Sequence, residues 1–108
     1  MANTFTSYVN KDVGTSAATV VTVGGSTQTT VIGMTAANTT ASSVTVDVYI
    51  TRSAVDYYIV KGAPVPSGGA LVIIGGDQKV VLTASDVLKI VSSAATSVDA
   101  VTSVLEIT

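Results

Sequence analysis

The sequence has no cysteine, no histidine and no tryptophan, one phenylalanine, two prolines, and only five basic and seven acidic residues in 108. Each absence closes a chemistry. Without cysteine there is no disulfide, thiolate nucleophile or thiolate metal site. Without histidine there is no Ser-His-Asp triad, no imidazole base titrating near neutral pH and no imidazole-ligated metal. Charged residues make up about a quarter of an ordinary soluble domain, and here they make up 11%. The surface must then be built largely of serine and threonine, which protect poorly against association, and permanent interfaces are where charge is depleted. An assembled state is therefore expected, with a homo-oligomer as its simplest form.

The scarcity of positive charge also bears on partners. With a net charge of −2 and a pI near 4.5, and with Lys11, Arg52, Lys61, Lys79 and Lys89 placed singly, no patch draws phosphate backbones or anionic lipid. Nucleic acid and membrane are not expected as partners. Mean hydropathy is high at +0.60, yet no apolar run approaches the roughly 18 residues of a spanning helix. The N-terminal residues lack the basic segment and apolar core of a secretory signal, so synthesis in a cytoplasm is expected. A length of 108 residues suits one domain with one core.

Valine and threonine are abundant, and β-branched side chains fit a pleated, half-buried surface. The clearest strand is 44–51, where Val44, Val46, Val48 and Ile50 alternate with Thr45, Asp47, Tyr49 and Thr51. After Arg52-Ser53-Ala54, residues 55–61 read as its hairpin partner, and the proline- and glycine-containing 62–69 is expected to stop it. Residues 70–74 and 79–83 flank Gly75-Gly76-Asp77-Gln78, and 19–23 and 29–36 flank a Gly24-Gly25 segment. Both read as further hairpins. Residues 87–91 and 98–108 complete the set. The last strand has apolar residues on both parities: Val101, Leu105 and Ile107 on one, Val98, Ala100 and Val104 on the other. Either both faces are covered or a bulge shifts its register. Residues 1–17 are either a strand or an arm reaching a neighbouring subunit.

About seven to nine short strands at regular spacing predict an all-β fold, a single antiparallel β-sandwich (jelly-roll-like) or a small β-barrel spanning 1–108. Val44, Val46, Val48, Ile50, Leu71, Ile73, Val80, Leu82, Leu88 and Ile90 are the expected core.

No motif carries chemistry. The paired glycines fit no phosphate loop, and no nucleophile elbow or SxxK motif occurs. Asp77 and Asp86 read as turn residues that satisfy local backbone donors, and Asp47 and Asp56 as outward positions facing Arg52 or Lys61. Asn38-Thr39-Thr40 matches a glycosylation sequon but reads as a loop. No catalytic residue, metal site or cofactor is expected. The candidate contact residues are Phe5 and Tyr8 on the N-terminal segment and Tyr49, Tyr57 and Tyr58 on the 44–61 hairpin, since tyrosine anchors interfaces and sugar platforms alike.

Four stretches carry a resemblance: 29–38, Val44-Thr45-Val46-Asp47-Val48, 63–82 with its Ala63-Pro64-Val65-Pro66-Ser67-Gly68-Gly69 run, and Ser103-Val104-Leu105-Glu106-Ile107-Thr108. Together they resemble small virion structural proteins of tailed bacteriophages, of the marine and cyanobacterial type. The resemblance implies a particle location, with the capsid surface favoured and synthesis in the host cytoplasm. It implies a capsid decoration or cement protein, a homotrimer on the major capsid protein, or else a tail, neck or fibre-associated component. A carbohydrate-binding sandwich is the remaining reading.

Overall fold

Valine and threonine fill nine strands in the computed structural model, which describes residues 2–75 and 78–108. In chain order these are β1 (Asn3–Val13), β2 (Ala18–Thr22), β3 (Gln28–Asn38), β4 (Val44–Arg52), β5 (Val55–Val65), β6 (Ala70–Ile74), β7 (Val80–Leu82), β8 (Val87–Ser92) and β9 (Val98–Ile107). They form two antiparallel sheets. Sheet A has the order β1-β9-β3-β6 with β7 also on β3, and sheet B the order β2-β8-β4-β5.

β6 lies beside Met34–Ala37 and β7 beside Thr29–Val31, end to end along one edge of β3. They share one strand position. With that merger the first strand position pairs the last, the second the next to last, and so inward to the β4–β5 hairpin. A long hairpin rolled up in this way is a jelly roll, a sandwich rather than a closed barrel.

Two expected hairpins are not formed. β2 pairs with β8 while β3 pairs with β9, β6 and β7, so the glycine-containing segment after β2 crosses between sheets. Likewise β6 and β7 both run antiparallel to β3 and so point the same way. The turn expected at Gly75-Gly76-Asp77-Gln78 includes Gly76 and Asp77, which lie outside the described residues. Glycine-rich turn chemistry serves a hairpin and an arch equally, and burial of the apolar faces decides between them.

The β4–β5 hairpin does form, from Arg52↔Val55 to Val44↔Val65. Its two connecting residues, Ser53 and Ala54, have φ of 53° and 64°, the positive pair of a type I′ turn. β5 does not stop at Lys61. It continues to Val65 through a bulge in which Lys61 and Gly62 oppose Asp47; Gly62 takes φ +68° and donates its N–H to Asp47 Oδ1 at 2.7 Å. Pro64 is tolerated because β5 is an edge strand.

The core lies between the sheets. Val31, Met34, Ala36, Val98, Ala100 and Val104 from sheet A meet Val46, Val48, Val65, Leu88 and Ile90 from sheet B, all buried. Of the expected core, Val44, Val46, Val48, Ile73, Leu82, Leu88 and Ile90 are buried, while Ile50, Leu71 and Val80 are half-buried against it. Residues 3–13 are a strand along β9, paired without a shift from Asn3↔Ile107 to Asn10↔Ala100.

Candidate functional site

The phase of β9 leads to the surface that stands out. Val98, Ala100, Thr102 and Val104 face inward, and β9 keeps one register against β1 from Ala100 to Ile107, with a shift only between Ala100 and Val98. The local shift falls on β3 at Ile32, between Val31 and Gly33. Val101 and Leu105 therefore point out of the sandwich.

The cross-strand register aligns them with others. Val9, Val101, Thr35 and Val72 form one row across four strand positions, and Phe5, Leu105, Thr30 and Val81 form a second. Phe5 is 76% exposed, Val9 72%, Val72 66%, Val81 58% and Val101 51%. Five of the eight exposed large hydrophobic residues among the described residues thus share one outer face, and neither row contains a charge. Water gains nothing by wetting such a face, and contiguous exposed apolar surface marks interaction sites. The outer face of sheet B is different. It carries Asp47, Asp56, Lys61 and Lys89 among threonines and tyrosines.

Of the candidate contact residues, only Tyr49 and Tyr58 are brought together. Phe5 lies on the outer face of sheet A. Tyr8 points to the inner side, half-buried, with its hydroxyl donating to Glu106 Oε2. That carboxylate bond, then burial, raises the Tyr8 pKa above the ordinary phenol value. Tyr49 and Tyr58 stack on the outer face of sheet B with ring centroids 5.0 Å apart, and Lys61 Nζ sits 4.3 Å over the Tyr58 ring. Tyr58 thereby covers Tyr49, which is 9% exposed and whose pKa burial raises. Tyr57 opposes Ile50 on the opposite face, beside Arg52. Neighbouring residues of a strand point to opposite sides, so the hairpin presents no single tyrosine platform.

Val9, Val72, Val81 and Val101 were not singled out from the sequence. The signal for Val101 was there in the double parity of the last strand, and that for Val72 in the unbroken run 70–74.

Structural bonds occupy much of the remaining polar chemistry. Arg52 does not pair with Asp47 or Asp56; its Nε and Nη2 donate to Asp86 at 2.9 and 2.6 Å. Thr83 N adds a third bond to that carboxylate at 2.8 Å. The Arg52 bonds hold the Asp86 pKa below the usual carboxylate range, against a burial effect of opposite sign. Asp56 accepts from Thr51 and Lys11 pairs with Asp99. Asn38 ends β3 rather than lying in a loop, and is buried; its amide donates to Ser42 O and Val65 O while its carbonyl accepts from Thr40. That side chain is closed to a glycan. A concavity of about 470 Å³ is lined by Gly25, Ser26, Thr27, Gln28, Thr83, Ala84, Ile107 and Thr108, without a titratable side chain. Among the described residues, no three acidic side chains gather as a metal site would need.

No family model matches the chain, and no curated protein matches it. Among solved structures it is similar to a chain of a Bacillus endospore appendage, of a family described as disulfide-linked pili. The TM-score is 0.56 at 14% identity, over 99% of this chain and 87% of that one. A second likeness is to a chain of the infectious bursal disease virus Gx strain, with a TM-score of 0.46 and 10% identity, over 96% of this chain and 28% of that one. The first of these is a likeness of fold.

Proposed function

We propose that the chain is a non-enzymatic structural subunit of a virion, acting by packing the outer face of sheet A against protein. The carrying observation is the pair of charge-free apolar rows through Val101 and Leu105. A free monomer gains nothing from such a face, whereas a subunit of a lattice buries it. The sequence resemblance supports a phage particle, and the jelly roll suits the role.

Within the particle, the reading we favour is capsid decoration: a cement protein that contacts the major capsid protein at capsomer junctions. Such a subunit stabilises the shell by binding the assembled form and not dispersed capsid protein. A tail, neck or fibre position would use the same face against different partners. A glycan platform has less support, because Tyr49 lies under Tyr58.

Reconstitution tests the proposal. Wild-type protein is added to particles lacking it, in parallel with a Val72→Glu, Val101→Glu double variant, and bound copies are counted after sedimentation. Saturable wild-type binding is expected, with loss of at least about tenfold in affinity for the variant, or 1.4 kcal/mol, and an unchanged circular dichroism spectrum. Equal loading of both would contradict the proposal.

A further inference from the structure

Sheet edges expose unpaired backbone donors and acceptors, and proteins blunt them against pairing with other chains. Three of the four edges here carry such a device. β2 has five residues and a register shift. β5 carries the Gly62 bulge and Pro64. The edge opposite β1 in sheet A is split between β6 and β7. β1 carries none of these from Asn3 to Asn10, a stretch with no proline, no charge and no shift; its irregularity, with Asp12 at φ 54°, and its charges Lys11 and Asp12 come only after it.

The open backbone groups can be assigned. Ala2 N donates to Thr108 O at 3.1 Å and Thr108 N to Ala2 O at 3.0 Å, so these two form a hydrogen-bonded pair. Antiparallel alternation then turns the backbone of Thr4, Thr6, Tyr8 and Asn10 toward β9. The backbone of Asn3, Phe5, Ser7 and Val9 faces away, toward the open edge.

We propose that β1 pairs with β1 of a second copy of this chain about a two-fold axis through Ser7. This deepens the assembly reading, on which its biological use rests. The strand is self-complementary in that register. Ser7 meets the partner's Ser7, Phe5 meets the partner's Val9, and Lys11 meets the partner's Asn3, so no like charges oppose. The outward-facing backbone groups of Phe5, Ser7 and Val9 all enter hydrogen-bonded pairs. The two apolar rows also join, because the row ending in Val9 continues into the partner's row that begins at Phe5. Two four-position sheets become one continuous sheet.

Light scattering on purified protein across a concentration series reads the pairing. Wild type is expected to be a dimer. Ser7→Pro removes an N–H that points to the open edge and leaves the β9 ladder intact, so a folded monomer is expected. The double variant Phe5→Lys, Val9→Lys places lysine against lysine and is also expected to be monomeric. Phe5→Lys, Val9→Glu places opposite charges across the axis and should restore the dimer. This pair of variants decides the matter even if the proline variant does not fold. A monomeric wild type, a folded Ser7→Pro dimer, or a Lys/Glu variant as dissociated as the Lys/Lys one would overturn the proposal. Particle loading through Val72 and Val101 is read separately, so failure of the dimer and failure of the virion reading are distinguishable.

Discussion

Asp86 joins three parts of the chain at one end of the sandwich. Its carboxylate takes Arg52 from the end of β4, its N–H donates to Thr83 O and its carbonyl accepts from Val23 N after β2. Asp86→Asn should cost about 1.5–3 kcal/mol, the worth of hydrogen bonds to a charged group. Because its folded pKa is lowered, the ionised carboxylate contributes stability above the unfolded value near pH 4. That contribution is lost as pH falls through the folded value, so in thermal melts the wild type should converge on the Asn variant in acid. Tyr8 works in the opposite sense: its raised pKa contributes below about pH 10 and is lost as pH rises further. Thr29 and Thr102 are fully buried with unpartnered hydroxyls. Thr102→Val should therefore stabilise by about 1 kcal/mol, read as a melting temperature several degrees higher. At this scale the sequence identified Asp86 as a turn residue but hid its partner, because Arg52 stands 34 residues away. Asn38 was hidden for the same reason: its acceptor at Val65 is set by the fold.

The β4–β5 hairpin was readable because its alternation is strict and its partner adjacent. Its connection was readable too, but not its turn type, since Ser53 and Ala54 are poor residues for positive φ. Replacing them with Asn-Gly should raise stability by about 1–2 kcal/mol, measured by urea denaturation; an unchanged midpoint would show that the strain is absent. The β2–β8 and β3–β9 pairs could not be read from local pattern. In a jelly roll most partners are distant in sequence, and the glycines of an arch look like those of a hairpin. β1 was left between strand and arm because its alternating apolar residues, Phe5 and Val9, face outward: the pattern for a strand was present, but it did not point to this core.

The whole molecule has two unlike outer faces: that of sheet B carries Asp47, Asp56, Lys61 and Lys89, whereas that of sheet A carries the two charge-free rows, with the Lys11–Asp99 pair at one end. The low charge of the sequence led to the expectation of an assembled state, and the structure places two charge-free rows on one face. The tyrosines drew attention to the hairpin, whereas the exposed apolar rows are made of valines, whose exposure depends on which parity of each strand meets the core. The same parity explains why Phe5 alone of the candidate contact residues lies within the rows. Cryo-electron microscopy of the purified particle tests the central claim most directly. The account predicts density for this sandwich in repeated copies, with the Val9, Val101, Thr35 and Val72 row buried against neighbouring protein. Copies that turn this row to solvent throughout, or particles without the chain, would contradict it.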